Sequence, residues 1–269
     1  MIDLAVIGSG PAALTAGLYA ARLGLSVKVF ERNKIGGALT EISHLANFPG
    51  FDGAGADFAE NLRHQVEQAG AKIEYGTCES IDPLTIDEEK VEARAIIIAT
   101  GSEPRPLDVP TKTPISYCAL CDAPLYKGKN IIVIGGGNSA VGETLHLADI
   151  AKHVTLISHS KLKADPVFIK QLKAFKNVEI KENFDVTTEI LDAADGVFVF
   201  IGKRPATNFL PKKILDQNGY IVTDDNNCTA IKNVFAAGDV RAGTLKQAVS
   251  AAADGAAAAV AAAHSLKID

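Results

Sequence analysis

Cys118 and Cys121 stand three residues apart in the run Ser116-Tyr117-Cys118-Ala119-Leu120-Cys121-Asp122-Ala123-Pro124. Cysteines at this spacing close a small, readily reduced disulfide ring. Once reduced, one thiolate attacks a substrate disulfide and the other resolves the mixed disulfide. Half a zinc site has the same spacing, but zinc takes about four ligands, and there is no second Cys-x-x-Cys or nearby Cys/His cluster. Inert buried cysteines are the other reading, and an expected helix start beside the pair favours thiolate chemistry instead. Asp122 fits two compatible roles, proton donor to a leaving thiolate and helix N-cap. Cys78 and Cys228 stand alone and read as small core hydrophobes. His44, His64, His146, His153 and His159 show no metal spacing with one another or with carboxylates.

Positioning the dithiol falls to alternating strands and helices, arranged in a unit that occurs twice. Ile2 to Ile7 is a short apolar strand, Gly8-Ser9-Gly10-Pro11-Ala12-Ala13 a glycine loop, and Leu14 to Leu23 a helix. The strand Ser26 to Phe30 follows and ends at Glu31-Arg32. Gly8 permits the sharp turn, Gly10 the approach of a pyrophosphate, and Ala13 close helix–strand packing. The helix N-terminus offers free N–H groups to phosphates, and Glu31 lies about 20 residues on, where an acid binds ribose hydroxyls. The second unit runs from the strand Asn130 to Ile134 through Gly135-Gly136-Gly137-Asn138-Ser139-Ala140 and a helix from Val141 to about Ala151, to the strand His153 to Ile157. Its glycines match the first, but Ser158-His159-Ser160 supplies neither a ribose acid nor an arginine pair for a 2′-phosphate. Lys161 and Lys163 add charge without arginine's bidentate fork.

Two strand–loop–helix–strand units predict an α/β fold of two Rossmann-like, three-layer dinucleotide-binding domains. Pro104, Pro106 and Pro110 mark one linker and Asp224-Asp225-Asn226-Asn227 a second. The expected domains are therefore 1–106 with 228–269, and 107–227 inserted between them with the dithiol. A formal net charge of -5 gives no reason to expect nucleic acid or an anionic membrane as partner. The opening strand lacks a basic flank or cleavage site, which argues against a signal peptide. The alanine-rich stretch Ala248 to His264 is broken by Asp254-Gly255 and reads as a buried helix rather than a span. Few, unframed cysteines fit a cytoplasmic chain.

These residues, in this order, resemble the low-molecular-weight bacterial thioredoxin reductases over nearly the whole chain. By that resemblance Ile7-Gly8-Ser9-Gly10-Pro11-Ala12 is the FAD loop, and Glu31 and Arg32 are neighbours of the same cofactor. Gly36-Gly37-Ala38-Leu39 and Asn47-Phe48-Pro49-Gly50 resemble flavin-contacting segments. Ala99-Thr100-Gly101 resembles the turn leaving the FAD domain, Gly238-Asp239 the second FAD motif, and Lys246-Gln247-Ala248 a flavin-contacting start to the last helix. Gly135, Gly137, Asn138, Ser139 and Ala140 take the place of the nicotinamide loop. The resemblance implies FAD, a homodimer, a thioredoxin-like partner, a rotation of the inserted domain, and a Cys121 that lies nearer the flavin. The chain departs from the family at Ser158-His159-Ser160, where the family has His-Arg-Arg, at Ala38, where Gln is usual, and at Lys246, where Arg is usual. NADPH leads as donor on family weight, NADH follows because the phosphate clamp is absent, and reduced ferredoxin is the alternative for so trimmed a chain. An FAD-dependent dithiol oxidase and a flavin-binding redox sensor use the same parts differently.

Overall fold

The computed structural model describes residues 1–42 and 44–266. The chain forms two compact units, Met1–Glu103 with Pro205–Asp269, and Pro104–Arg204. Each is built on a five-stranded parallel sheet. The first sheet runs in the order Val234–Ala236, Ala93–Ile98, Ile2–Ile7, Val27–Glu31, Lys72–Tyr75. The second runs Ile115–Ser116, Gly196–Val199, Asn130–Ile134, His153–Ser158, Val178–Glu182. In both, the strand that feeds a glycine loop is central, and the next strand in sequence of that unit pairs beside it.

Alternation along the central strands sorts side chains into layers. Leu4 and Val6 face one apolar cluster while Ala5 and Ile7 face another. The helices Pro11–Arg22 and Ala248–Ser265 close the first face. Against the second lie an antiparallel ribbon, through Ile81, Leu84 and Ile86, and the segment bearing Leu210, Ile214 and Ile221. The first unit's outer layer is thus a β-ribbon and irregular chain on one side and helices on the other. In the second unit Ile131 and Val133 face the helix Asn138–Ala148, while Ile132 and Ile134 face Leu191 of the helix Thr188–Asp192.

The alanine-rich closing helix has a packing cause. A Cβ at Gly255 would stand 2.1 Å from the Ala12 carbonyl oxygen, and Ala251, Ala258, Ala259 and Ala262 are buried along the same helix. Small side chains let the two helix axes come close, which brings the end of the chain against the first glycine loop.

The domain boundaries differ from the sequence expectation. The first crossing falls at Glu103/Pro104 rather than 106/107, and the second at Arg204/Pro205 rather than 227/228, so residues 205–227 belong with the first unit. The run Asp224 to Asn227 is not a linker but a turn whose polar groups are used internally. The Asn226 amide donates to Asp224 Oδ1 (2.9 Å) and the Asn227 amide to the Asp224 carbonyl (3.1 Å). Asn227 is buried and its Nδ2 donates to the Asp254 carbonyl (3.0 Å). Residues 267–269, the end of the expected segment 228–269, lie outside the described residues. Both loop helices begin earlier than expected, at Pro11 and Asn138, because Gly10 and Gly137 serve as extended N-caps and Pro11 is preorganised for the first helical position.

Candidate active site

The first glycine loop leaves the central strand with Gly8 at φ +106°, where a Cβ would lie 2.4 Å from the Ala99 carbonyl oxygen. Only glycine fits that approach. Gly10, by contrast, has nothing within 4 Å of where a Cβ would stand. The loop therefore presents open space at the helix N-terminus, as a bound pyrophosphate requires. Ser9 and Glu31 are both buried. Ser9 Oγ donates to Glu31 Oε2 (2.5 Å), and Glu31 Oε1 accepts from the Asn33 amide (2.8 Å). Arg32 pairs with Glu103 (3.0 Å).

Most of the segments expected around a flavin gather on this unit. The Gly36 amide bonds the Ser9 carbonyl (3.1 Å), and Gly37 approaches Gly10 closely enough that its Cβ would be 3.4 Å from Gly10 Cα. The Leu39 side chain, 2 % exposed, is turned instead into a cluster with Leu45, Phe58 and Ala59. Asn47 Nδ2 donates to Gln247 Oε1 (3.0 Å), joining residues two hundred positions apart. Gln247 is the N-cap of the helix that opens with Ala248. Lys246 Nζ turns to the Tyr220 hydroxyl. Thr100 Oγ1 donates to the Ala206 carbonyl (2.8 Å), whose residue returns its own amide to the Gly101 carbonyl (3.1 Å).

Gly238 sits at φ +78°, and a Cβ there would be 2.8 Å from Ala12 Cβ. Its amide donates to Asp254 Oδ2 (3.1 Å), and Arg241 bridges to the same carboxylate (2.8 Å). Asp239, the next residue, is half-buried. No motif in the sequence points to the Asp254–Arg241 brace. Its signal is the charged residue inside an otherwise alanine-rich helix.

The second loop repeats the backbone. Gly135 lies at φ +144°, with a Cβ that would be 2.3 Å from the Phe200 carbonyl oxygen, and Gly137 faces open space. Ala140 is buried, Ser139 is exposed, and Asn138 exchanges two hydrogen bonds with Asp165 (3.1 and 2.7 Å). Ser158 is buried, with its Oγ 2.3 Å from where a Cβ on Gly136 would stand. His159 projects outward and meets Asp185 (2.6 Å).

Cys118 and Cys121 form a disulfide at the carboxyl end of Ile115–Ser116, the edge strand of the second sheet. Because that sheet is wholly parallel, the disulfide and the second glycine loop share its carboxyl rim, where open α/β sheets bind ligands. The Ser116 hydroxyl accepts from the Cys118 amide (3.1 Å) and fixes the approach. Cys118 caps the short helix Ala119–Asp122, and its Sγ accepts from the Cys121 amide (3.2 Å). That N–H is placed to steady a thiolate on Cys118 once the ring opens. Cys121 is exposed and Asp122 half-buried. Behind them Tyr126 packs edge-on against Phe198, ring centroids 5.1 Å apart. The other two cysteines are poor nucleophiles: burial pushes the Cys78 thiol up to about 12 and also raises that of Cys228. Among the described residues no group of three or more His, Cys, Asp or Glu side chains could hold a metal ion. No described helix is long and apolar enough to cross a membrane.

A disulfide on the rim of one nucleotide-type sheet, in a chain carrying a second such sheet, defines a thiol–disulfide oxidoreductase. The family described as pyridine nucleotide-disulphide oxidoreductase matches residues 2–255, and the chain belongs to it. A Clostridium pasteurianum protein described as a 34.2 kDa protein in a rubredoxin operon is 37% identical, over 96% of this chain and 95% of its own length. Treponema pallidum thioredoxin reductase is 35% identical, over 97% and 96%. The solved Lactococcus lactis thioredoxin reductase superposes with a TM-score of 0.89 at 28% identity, covering 99% of each chain. The structure described as T. acidophilum thioredoxin reductase gives 0.86 at 29% identity, again over 99% of each.

Proposed function

We propose that this chain is a thioredoxin reductase: a flavoprotein that carries electrons from a nicotinamide dinucleotide, through FAD and the Cys118–Cys121 pair, to the disulfide of a thioredoxin-like protein. The observation that carries the reading is the Cys118–Cys121 disulfide at a sheet rim beside a complete glycine loop. Its relatives in the family add weight.

In this reading FAD lies on the first unit. The backbone of Gly8, Ser9, Gly10, Pro11 and Ala12 cradles its pyrophosphate, Glu31 takes its adenosine ribose, and Arg32 flanks it. Gly36, Gly37, Leu39 (through its backbone), Asn47, Ala99, Thr100 and Gly101 line it. Gly238, Asp239, Lys246, Gln247 and Ala248 complete the set. Gly135, Gly137, Asn138, Ser139 and Ala140 receive the nicotinamide donor, NADPH or NADH. FAD, when bound, supplies the two electrons that open the Cys118–Cys121 disulfide. One freed sulfur then attacks the partner's disulfide and expels a partner thiolate. The second sulfur displaces the other partner sulfur and re-forms Cys118–Cys121, so two electrons and two protons end on the partner's thiols. Asp122, adjacent to Cys121, is the proton donor. A homodimer in the cytoplasm completes the reading.

An anaerobic titration of the purified yellow protein with NADPH, NADH and reduced ferredoxin tests it, followed at the oxidised flavin band and then by turnover with thioredoxin. Bleaching by a nicotinamide and reduction of thioredoxin are expected. Bleaching by ferredoxin alone would move the donor to that protein and leave the second loop a remnant. Peroxide formed from a small dithiol, without thioredoxin turnover, would make the protein a dithiol oxidase. Absence of multiple turnover with any thioredoxin would leave the redox-sensor reading.

A further inference from the structure

Ser9 is buried, 1 % exposed, and its hydroxyl is engaged on both sides. The Gly36 amide donates to Ser9 Oγ (3.2 Å), and Ser9 Oγ donates to Glu31 Oε2 (2.5 Å). Glu31, 8 % exposed, has its other oxygen held by the Asn33 amide (2.8 Å). A buried carboxylate held at both oxygens has one orientation, and its remaining lone pairs are the acceptors left for a ligand's hydroxyls. The hydrogen-bond chain from Gly36 through Ser9 to Glu31 ties the turn at Gly36–Gly37 to the end of the second strand, across the glycine loop. The second unit lacks it. There Gly136 stands at the position of Ser9, and Ser158 at that of Glu31.

We propose that Ser9 is a positioning residue, whose hydroxyl, fixed by the Gly36 amide, orients the Glu31 carboxylate toward the ribose hydroxyls of the dinucleotide on the first glycine loop. This rests on the reading of that loop as the FAD site. Ser9 touches no reacting atom. It acts through Glu31, so its contribution to binding exists only while the acid is there to be oriented. A serine that merely packed the loop would contribute whether or not Glu31 were present.

The test is a double-mutant cycle on FAD binding to the whole chain, with Ser9→Ala, Glu31→Gln and the pair, read as the dissociation constant from flavin fluorescence after removal and re-addition of FAD. Ser9→Ala is expected to weaken FAD about tenfold, the size of one lost hydrogen bond to a charged group. Glu31→Gln should weaken it by at least as much, and the pair no more than Glu31→Gln alone. Losses that multiply would overturn the positioning role, as would FAD affinity in Ser9→Ala equal to that of the unsubstituted protein. Should Ser9→Ala fail to fold, Ser9→Cys keeps the bulk with a weaker donor, and the same non-multiplying pattern is expected with Glu31→Gln. An unsubstituted protein that binds no FAD would instead sink the reading of the loop itself.

Discussion

The two glycine loops are the same backbone with different ends. The amides of Gly8 and Gly135 bond the carbonyls of Phe30 and Ile157 at 2.8 and 2.9 Å, and the helices close on Gly10 and Gly137 at 3.0 and 3.1 Å. The first glycine of each meets a strand-end carbonyl, Ala99 or Phe200, at a distance no side chain tolerates, and the glycine two residues on, Gly10 or Gly137, faces open space in both. One strand away the likeness stops. The first loop meets a buried carboxylate held by Ser9, while the second meets the buried hydroxyl of Ser158 beside a bare Gly136. A pyrophosphate cradle is a backbone property that survives wherever the glycines do. Choice between nucleotides is a side-chain property, and here only the first loop has a buried acid for it.

The dithiol belongs to the second unit alone, so its removal should separate the two most sharply. Cys118→Ser and Cys121→Ser are each expected to lose thioredoxin reduction to background while purifying with full flavin absorbance. Turnover surviving in either would undo the dithiol assignment. Next in size are the open positions. Gly10→Val should cost FAD at least a hundredfold in affinity, on the order of 3 kcal/mol, with little change in the stability of the cofactor-free chain, since φ there is -69° and a Cβ meets nothing. Gly137→Val should do the same to nicotinamide binding and leave FAD in place. Absorbance ratios and nucleotide titrations decide both.

The closed positions should behave alike in the two loops. Gly8→Ala and Gly135→Ala combine positive φ with contacts of 2.4 and 2.3 Å, and each is expected to destabilise its unit by about 3 kcal/mol, measured by denaturant unfolding. Unequal losses would show that the backbones are less equivalent than their geometry. Donor choice is a smaller effect. His159 and Ser160 are open to solvent at least in part, whereas Ser158 is wedged against Gly136. Restoring a phosphate clamp therefore calls for His159→Arg with Ser160→Arg and an untouched Ser158. Tighter NADPH binding by about tenfold is expected, with NADH unchanged. A titration showing no gain would mean a pocket closed for other reasons.

The smallest expected effect is a pH response confined to the first unit. Hydrogen bonds from Ser26, with Arg94 beside them, hold the Asp3 carboxyl at about 2, below its usual 3.8. A depressed carboxyl stabilises the fold above its unfolded value and loses that contribution as pH falls from about 4 toward 2. The melting-temperature gap between the unsubstituted protein and Asp3→Asn should be full at pH 6 and close on acidification.

Much of this was legible beforehand because it is local. Both central strands, both loops and the Cys118–Cys121 pair are contiguous runs whose residue types leave few alternatives. The return of the chain to the first unit lies about twenty residues earlier than composition predicts. Asp224 to Asn227 has the composition of a linker, but its polar groups are satisfied within a turn and by the Asp254 carbonyl, and composition does not say where a hydrogen bond ends. Leu39 lies in a run that resembles a flavin-contacting segment, yet its side chain is core, which leaves its backbone for any such contact. Asp254 accepts from the Gly238 amide, sixteen residues away, and from the Arg241 guanidinium, contacts that no local pattern in the sequence announces.

By itself the sequence determined the chemistry on offer, two glycine turns of the form that can cradle a phosphate and one dithiol, because glycine conformation and cysteine spacing act over a few residues. Tertiary structure decided how that chemistry is differentiated. Pairing the second strand beside the first brought Glu31 under Ser9 and Ser158 under Gly136, and packing Gly255 on Ala12 carried the closing helix to the first loop. Those contacts join residues far apart in the chain, and only burial makes such hydrogen bonds and close approaches decisive, since water would otherwise satisfy the same groups.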